Sequence, residues 1–193
     1  MKIDGAIYKR VFDILLSLLL IILFFIPIIC ISISIIATSG FPVMYFSKRL
    51  GRYNSFFFMP KFRTMKTDTP AVATHLLSET ENYLTPIGSF LRKTSMDELP
   101  QLFSVLRGNM SFVGPRPALF NQTDLIEGRT KKDIHSLKPG ITGWAQVNGR
   151  DNLTIESKIN FDFEYLKRRS FLFDLYIIIL TARKVIFKEG VKH

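Results

Sequence analysis

The chain has 193 residues, room for one ordinary domain and too few for two. Apolar residues make up 47%, with 18 Phe, which excludes intrinsic disorder, and the lone Cys30 excludes a disulfide scaffold and any CxxC zinc or redox pair. Lysine and arginine outnumber aspartate and glutamate by 26 to 16, a formal charge of +10 that suits an anionic membrane face, nucleic acid or phosphorylated substrates.

From Ile14 to Ala37 run 24 residues without a charge. As a helix this run reaches roughly 36 Å, where a bilayer core needs about 20 residues and a signal peptide only about 7 to 15 apolar ones. A membrane segment is expected. Pro27 lacks an N–H and pushes away the carbonyl of Leu23, so the helix should bend there. Lys2, Lys9 and Arg10 precede the segment, and Lys48, Arg49 and Arg52 follow it. Positive residues favour the cytoplasmic side, and here both ends carry them. A re-entrant pair of half-helices bent at Pro27 satisfies both ends. A spanning helix with a proline kink is the alternative.

Residues 43–48 and 56–63 are apolar and aromatic runs around Leu50-Gly51-Arg52-Tyr53-Asn54-Ser55, which reads as a β-hairpin with a longer loop. Pro60 cannot donate to a ladder, so the second strand should be an edge or end early. Residues 67–74 read as an exposed connector and 75–84 as a helix that stops before Pro86. Leu99, Leu102, Phe103 and Leu106 repeat at helical spacing up to Gly108. Either Ser95 with Glu98 forms its capping box or Asp97 is its N-cap; both put Asp97 and Glu98 in a first helical turn. Glycines and prolines are dense over 108–150, where loops are expected. Leu175, Ile178, Ile179, Ala182, Val185 and Ile186 mark a C-terminal amphipathic helix, too short to span, lying in or against a membrane interface or serving as an ordinary core helix.

Three constellations could carry chemistry. Asp97-Glu98 follows the basic run Arg92-Lys93, with Lys61, Arg63 and Lys66 in the same half of the chain. Acids among bases suit a phosphate site in which carboxylates hold Mg²⁺, and a carboxylate can also attack phosphorus itself. An acidic helix start alone explains the pair equally well. In Gly114-Pro115-Arg116-Pro117, two prolines fix the backbone around one guanidinium, which suits phosphate recognition, with a plain turn and a solvated arginine as the alternative. Lys138 to Arg150 holds the only Trp and three glycines, Gly140, Gly143 and Gly149. GxxxxGK, GxGxxG and HExxH are absent, and His75, His135 and His193 are scattered, so nucleotide-loop, dinucleotide and zinc-protease readings lack support.

Lys61-Phe62-Arg63-Thr64-Met65, the run from Thr94 to Leu102, the run from Met110 to Pro117 and the run from Lys138 to Arg150 occur in one order along nearly the whole chain. With these motifs the chain resembles the bacterial sugar transferases, the monotopic polyprenyl-phosphate phosphoglycosyl transferases. The resemblance implies transfer of a sugar 1-phosphate from a UDP-sugar to undecaprenyl phosphate, with UMP released, at the cytoplasmic face of the bacterial inner membrane. That reaction opens the membrane stage of glycoconjugate assembly (capsule, O-antigen, exopolysaccharide or protein glycan). It further implies Asp97 as nucleophile, Glu98 as its partner, Mg²⁺ at that dyad, and phosphate contacts from Lys61, Arg92, Arg116 and Arg150. The expected fold is α+β and mainly helical. Residues 1–40 would form the re-entrant membrane helix, and 41–193 a cytosolic catalytic domain with a short β-hairpin, a helical core and a C-terminal interfacial helix. A second copy of the chain is a candidate partner; nucleic acid is not, since no groove-reading motif occurs. Ile26 stands where the family commonly has Ser before the membrane proline, and Pro60 where an aromatic is common. A non-catalytic basic adaptor on the membrane surface also accounts for the charge and the anchor.

Overall fold

A computed structural model describes residues 3–69, 80–149 and 152–186. The fold is mainly helical with a short antiparallel hairpin. Helix α1 (Ile3–Leu23) and helix α2 (Phe25–Ser39) come first, and they meet at Phe24 with a bend of 59°. Pro27 sets the place of that break. It lies in the first turn of α2, where no intrahelical N–H is needed, and the chain leaves helical geometry three residues upstream. Ser32 and Ser34 donate instead to the carbonyls of Ile28 and Cys30 (2.7 and 2.8 Å). Among the described residues no single helix is long and apolar enough to cross a membrane; the bent pair together has that length and composition.

Both ends of the bent pair are tied to the same body. On α1, Asp13 is buried and accepts from Ser111 Oγ and Phe112 N, both at 3.1 Å. Lys9 pairs with Asp174 at 2.5 Å and also donates to the Val113 carbonyl. Arg10 donates to the carbonyls of Val105 and Leu106 (2.6 and 2.7 Å). At the other end Ile31 and Ile35 of α2 pack with Phe62 and Leu91, each such fully buried side chain contributing about 1.5–3 kcal/mol. The buried guanidinium of Arg63 gathers the Ser39, Gly40 and Phe41 carbonyls (2.6, 2.7 and 3.3 Å), supplying donors to the end of α2. The outward face of the pair is bare: Leu15, Leu19, Ile22, Leu23, Phe25, Ile26 and Ile33 are all exposed.

The hairpin follows as expected, with strand β1 (Met44–Leu50) antiparallel to strand β2 (Phe56–Phe62). Pro60 sits inside β2 opposite Phe46, tolerated because both strands of a two-stranded sheet are edges. Helix α3 (Gly88–Thr94) and helix α4 (Gln101–Arg107) lead to strand β3 (Ser111–Val113), which pairs in parallel with strand β4 (Gly140–Thr142). Between these strands lies helix α5 (Thr123–Lys131), and after them come helix α6 (Trp144–Asn148), helix α7 (Ile155–Arg168) and helix α8 (Phe171–Ile186). Val105, Met110, Val113, Ile134 and Ile177 centre the main core, against which Leu16, Leu20 and Ile21 of α1 also pack.

Several expectations need correction. Neither capping box nor Asp97 cap opens α4. Ser95 is left-handed (φ 57°), Met96–Glu98 forms a 3-10 turn, and the α-helix starts only after Pro100, whose ring blocks an earlier start. The helix proposed for 75–84 lies mostly outside the described residues; its described end, Thr80–Tyr83, is a 3-10 turn. The region 108–150 is not loop alone but includes α5, α6 and the β3–β4 pair. Helix α8 buries Phe173, Asp174 and Ile177 in the core while Leu172, Tyr176, Ile179 and Val185 stay exposed, so one face is core and the other open. Gly108 does close α4, at φ 88°.

The β3–β4 pairing draws two backbones together at Gly114, where a Cβ would stand 2.3 Å from the Lys138 carbonyl oxygen. Gly114→Ala is therefore expected to lower stability by about 1–3 kcal/mol, measured as a drop in thermal midpoint. An unchanged midpoint would show that the two backbones have room to part.

Candidate active site

The turn Met96–Glu98 faces β2 across the start of α4 and presents both carboxylates to Lys61. Lys61 Nζ lies 2.6 Å from Glu98 Oε1 and 3.6 Å from Asp97 Oδ2. Arg116 Nη2 approaches the same Glu98 oxygen at 3.7 Å, and its side chain remains 45% exposed. Arg92, at the end of α3, is oriented by a hydrogen bond from its Nε to Thr64 Oγ1 (3.0 Å) and adds positive potential at Asp97. Lys61, Arg92 and Arg116 thus converge with the dyad. Arg150 lies outside the described residues.

The two carboxylates are held differently. Glu98 has the short contact to Lys61. Asp97 is buried, accepts no hydrogen bond among the described residues, and meets its nearest cation only at 3.6 Å. Burial pushes its pKa above the ordinary value of 3.8, opposed by Lys61, reinforced by Glu98 and opposed again by Arg92 and Arg116. A carboxylate without its usual hydrogen bonds keeps its lone pairs available for attack, while the surrounding cations can draw in an anionic target.

The proline-framed loop owes its shape to three consecutive carbonyls. Pro115 O accepts from Gly140 N (2.9 Å), Arg116 O from Arg129 Nη1 (2.8 Å) and Pro117 O from Arg49 Nη1 (3.1 Å). Arg129 is itself fixed by a buried pair with Asp162, at 2.6 Å. Two prolines remove two backbone donors from this stretch, so its acceptors are satisfied from neighbouring elements instead. The Lys138–Arg150 motif, as far as described, supports this loop rather than touching the dyad: Gly143 packs where a Cβ would stand 2.1 Å from the Gly114 carbonyl oxygen. Trp144 Nε1 donates to Glu164 Oε2 (2.8 Å), anchoring α6 on α7.

Arg49 and Arg129 are positioning groups that lie outside the sequence motifs. For Arg49 the strand alternation is a usable signal, since Tyr45, Ser47 and Arg49 share one face of β1 and Tyr45 lies opposite Lys61. Arg129 gives no such signal, because its partner Asp162 is 33 residues away on another helix.

The donor set bears on metal binding. Among the described residues no three His, Cys, Asp or Glu side chains cluster, so the dyad offers two carboxylates rather than a closed cage. It already accommodates a shared positive charge in the Lys61 ammonium. Such a pair fits Mg²⁺, a hard cation commonly held by one or two carboxylates together with substrate phosphates.

Comparison with known proteins agrees with the motif order. The profile of the bacterial sugar transferase family matches residues 5–188. The chain belongs to that family. It is 42% identical over 192 residues to an uncharacterized sugar transferase, EpsL, of Bacillus subtilis (strain 168), covering 96% of this chain and 91% of the relative. It is 38% identical over 189 residues to the UDP-glucose:undecaprenyl-phosphate glucose-1-phosphate transferase of Escherichia coli (strain K12), covering 93% of this chain and 40% of the relative. It is 34% identical over 207 residues to the undecaprenyl-phosphate galactose phosphotransferase of Salmonella typhimurium, covering 98% and 42%. The chain therefore spans nearly all of the first relative and about two fifths of the other two.

Burial of Asp97 has a sign that can be checked. Its folded pKa is raised, so the native state holds the proton longer than the unfolded chain. Its contribution to stability falls as pH rises from about 3.8 through the folded value, and near neutral pH it is unfavourable. Asp97→Asn should therefore have a thermal midpoint equal to or above that of the unsubstituted chain at pH 7, with any gain shrinking toward pH 4. A clear loss of stability at pH 7 would contradict this.

Proposed function

We propose that this chain transfers a sugar 1-phosphate from a UDP-sugar to undecaprenyl phosphate, through an acyl phosphate that joins the phospho-sugar to Asp97, and so performs the first membrane step of glycoconjugate assembly. The observation that carries this reading is the environment of Asp97, a buried carboxylate that accepts no hydrogen bond among the described residues and is flanked by Lys61, Arg92 and Arg116. The names of the Escherichia coli and Salmonella relatives, which specify undecaprenyl-phosphate glucose and galactose transfer, support the substrate class.

The steps follow from the groups present. Lys61 and Arg116 lower the repulsion between a diphosphate and the dyad. An Asp97 carboxylate oxygen bonds to the sugar-bearing phosphorus; the bond from that phosphorus to the bridging oxygen breaks, and its electron pair leaves on UMP. A phosphate oxygen of undecaprenyl phosphate then bonds to the same phosphorus, and the bond from that phosphorus to the Asp97 oxygen breaks to restore the carboxylate. No net proton is consumed between the anionic reactants and products. Asp97 and Glu98 would hold Mg²⁺, which when bound supplies further neutralisation of the diphosphate charge. Glu98, tied to Lys61, keeps that ammonium over the dyad.

The helix pair supports a re-entrant anchor at the cytoplasmic face of the inner membrane, comprising residues 1–40, with the catalytic domain following from 41. Both of its ends are bound to one folded body, through Lys9, Arg10 and Asp13 at the start and Arg63 at the exit. A spanning helix would carry those ends to opposite faces, about 30 Å apart. The exposed apolar flanks of α1 and α2 suit hydrocarbon. Held at headgroup depth, one open site can serve a soluble donor and then a lipid acceptor.

Intact mass measurement of the detergent-solubilised protein, incubated with a UDP-sugar and Mg²⁺, is expected to show a phospho-sugar adduct that Asp97→Asn abolishes. An adduct persisting in that variant removes Asp97 from the nucleophile role, and a chain giving neither adduct nor UMP is a non-catalytic membrane-surface adaptor. For topology, a cysteine placed at Ala6 in a Cys30→Ser background should resist an impermeant thiol reagent applied to intact cells. Labelling from outside would mean a spanning helix.

A further inference from the structure

Arg49 stands on the inward face of β1, opposite Phe57 and on the same face as Tyr45 and Ser47. Its Nε donates to Ser47 Oγ (2.9 Å) and its Nη1 to the Pro117 carbonyl (3.1 Å). Those two contacts fix the plane of the guanidinium. Nη2 has no acceptor among the described residues, and no described carboxylate comes within ion-pair distance of Arg49. Its strongest charged neighbour is instead another cation, Arg116; burial first and Arg116 second pull its pKa down to about 10. A half-buried guanidinium facing a like charge, immobilised and without an ion-pair partner among the described residues, is unfavourable on its own and is relieved by an anion shared between the two.

The order of the charges indicates which anion. Lys61 contacts both carboxylates, Arg116 reaches Glu98 alone of the two (3.7 Å), and Arg49 binds the carbonyl of Pro117, next to Arg116 in the chain, with no ion pair to either acid. Arg49 is therefore at the end of the cluster remote from the nucleophile. In phosphoryl transfer the attacking and leaving oxygens lie roughly in line across phosphorus, so the leaving group occupies the end opposite the attacking carboxylate. We propose that Arg49 and Arg116 form the site for the departing phosphate, with the uncommitted Nη2 of Arg49 donating to the phosphate of the nucleoside monophosphate. This inference rests on the phosphoryl-transfer reading given above.

The test uses the full-length, detergent-solubilised chain with a UDP-sugar, undecaprenyl phosphate and increasing UMP. Arg49→Gln keeps an N–H for the Pro117 carbonyl but no charge. It is expected to raise the UMP inhibition constant at least tenfold, about 1.4 kcal/mol, and to raise donor KM more than it lowers kcat. Arg49→Lys keeps the charge but cannot reproduce both fixed contacts, and its UMP inhibition constant should stay within about threefold of wild type. UMP inhibition unchanged in Arg49→Gln overturns the assignment. An equal rise in both variants with a lowered thermal midpoint also overturns it, because it marks a residue that only holds the loop. A wild-type chain that releases no UMP from any donor overturns the phosphoryl-transfer reading itself, and this assignment with it.

Discussion

The short contact between Lys61 and Glu98 is the constraint on which the rest of the site depends. It pins a 3-10 turn to a strand, and by holding one carboxylate firmly it leaves the adjacent one with a looser electrostatic claim. Two neighbouring acids in sequence thereby acquire unequal surroundings. Asp97 becomes the less satisfied of the two without being remote from positive charge. Adjacent residues on a regular helix would point about 100° apart. The tight turn ahead of Pro100 lets both address a single ammonium.

A second layer of arginines sets up the first. Arg49 and Arg129 hold successive carbonyls of the Arg116 loop, Arg63 gathers the carbonyls at the exit of α2, and Arg10 does the same for the end of α4. In each case a planar fork of donors meets backbone carbonyls at the end of an element or in a loop. The large positive charge of the chain is thus partly architectural. Only part of it faces outward.

Much of this was legible from the amino-acid sequence. The hairpin, the bend upstream of Pro27, the glycine closing α4 and the grouping of Lys61, Arg92 and Arg116 with the dyad all follow from local rules and motif order. The start of α4 departs from the cap signals because those at Ser95 and Asp97 compete with a proline that forbids α-helix before it, and the proline wins. The helices within 108–150 were hidden because glycines and prolines that serve the β3–β4 crossing sit on either side of α5 and dominate the composition of the whole stretch. Arg129 and Asp162 could not be paired at all, since only the packing of α5 on α7 brings them together.

The charges at the start of α1 have a consequence for how this chain can be altered. Lys9, Arg10 and Asp13 look like flanking residues of an interchangeable anchor, yet each is committed to β3, α4 or α8. Exchanging the segment for a generic hydrophobic leader would leave Asp174 without its ammonium and the end of α4 without its donor. Modular grafting is thereby ruled out: the opening helix is part of the folded body, and a version trimmed of it would forfeit a wall of its own interior.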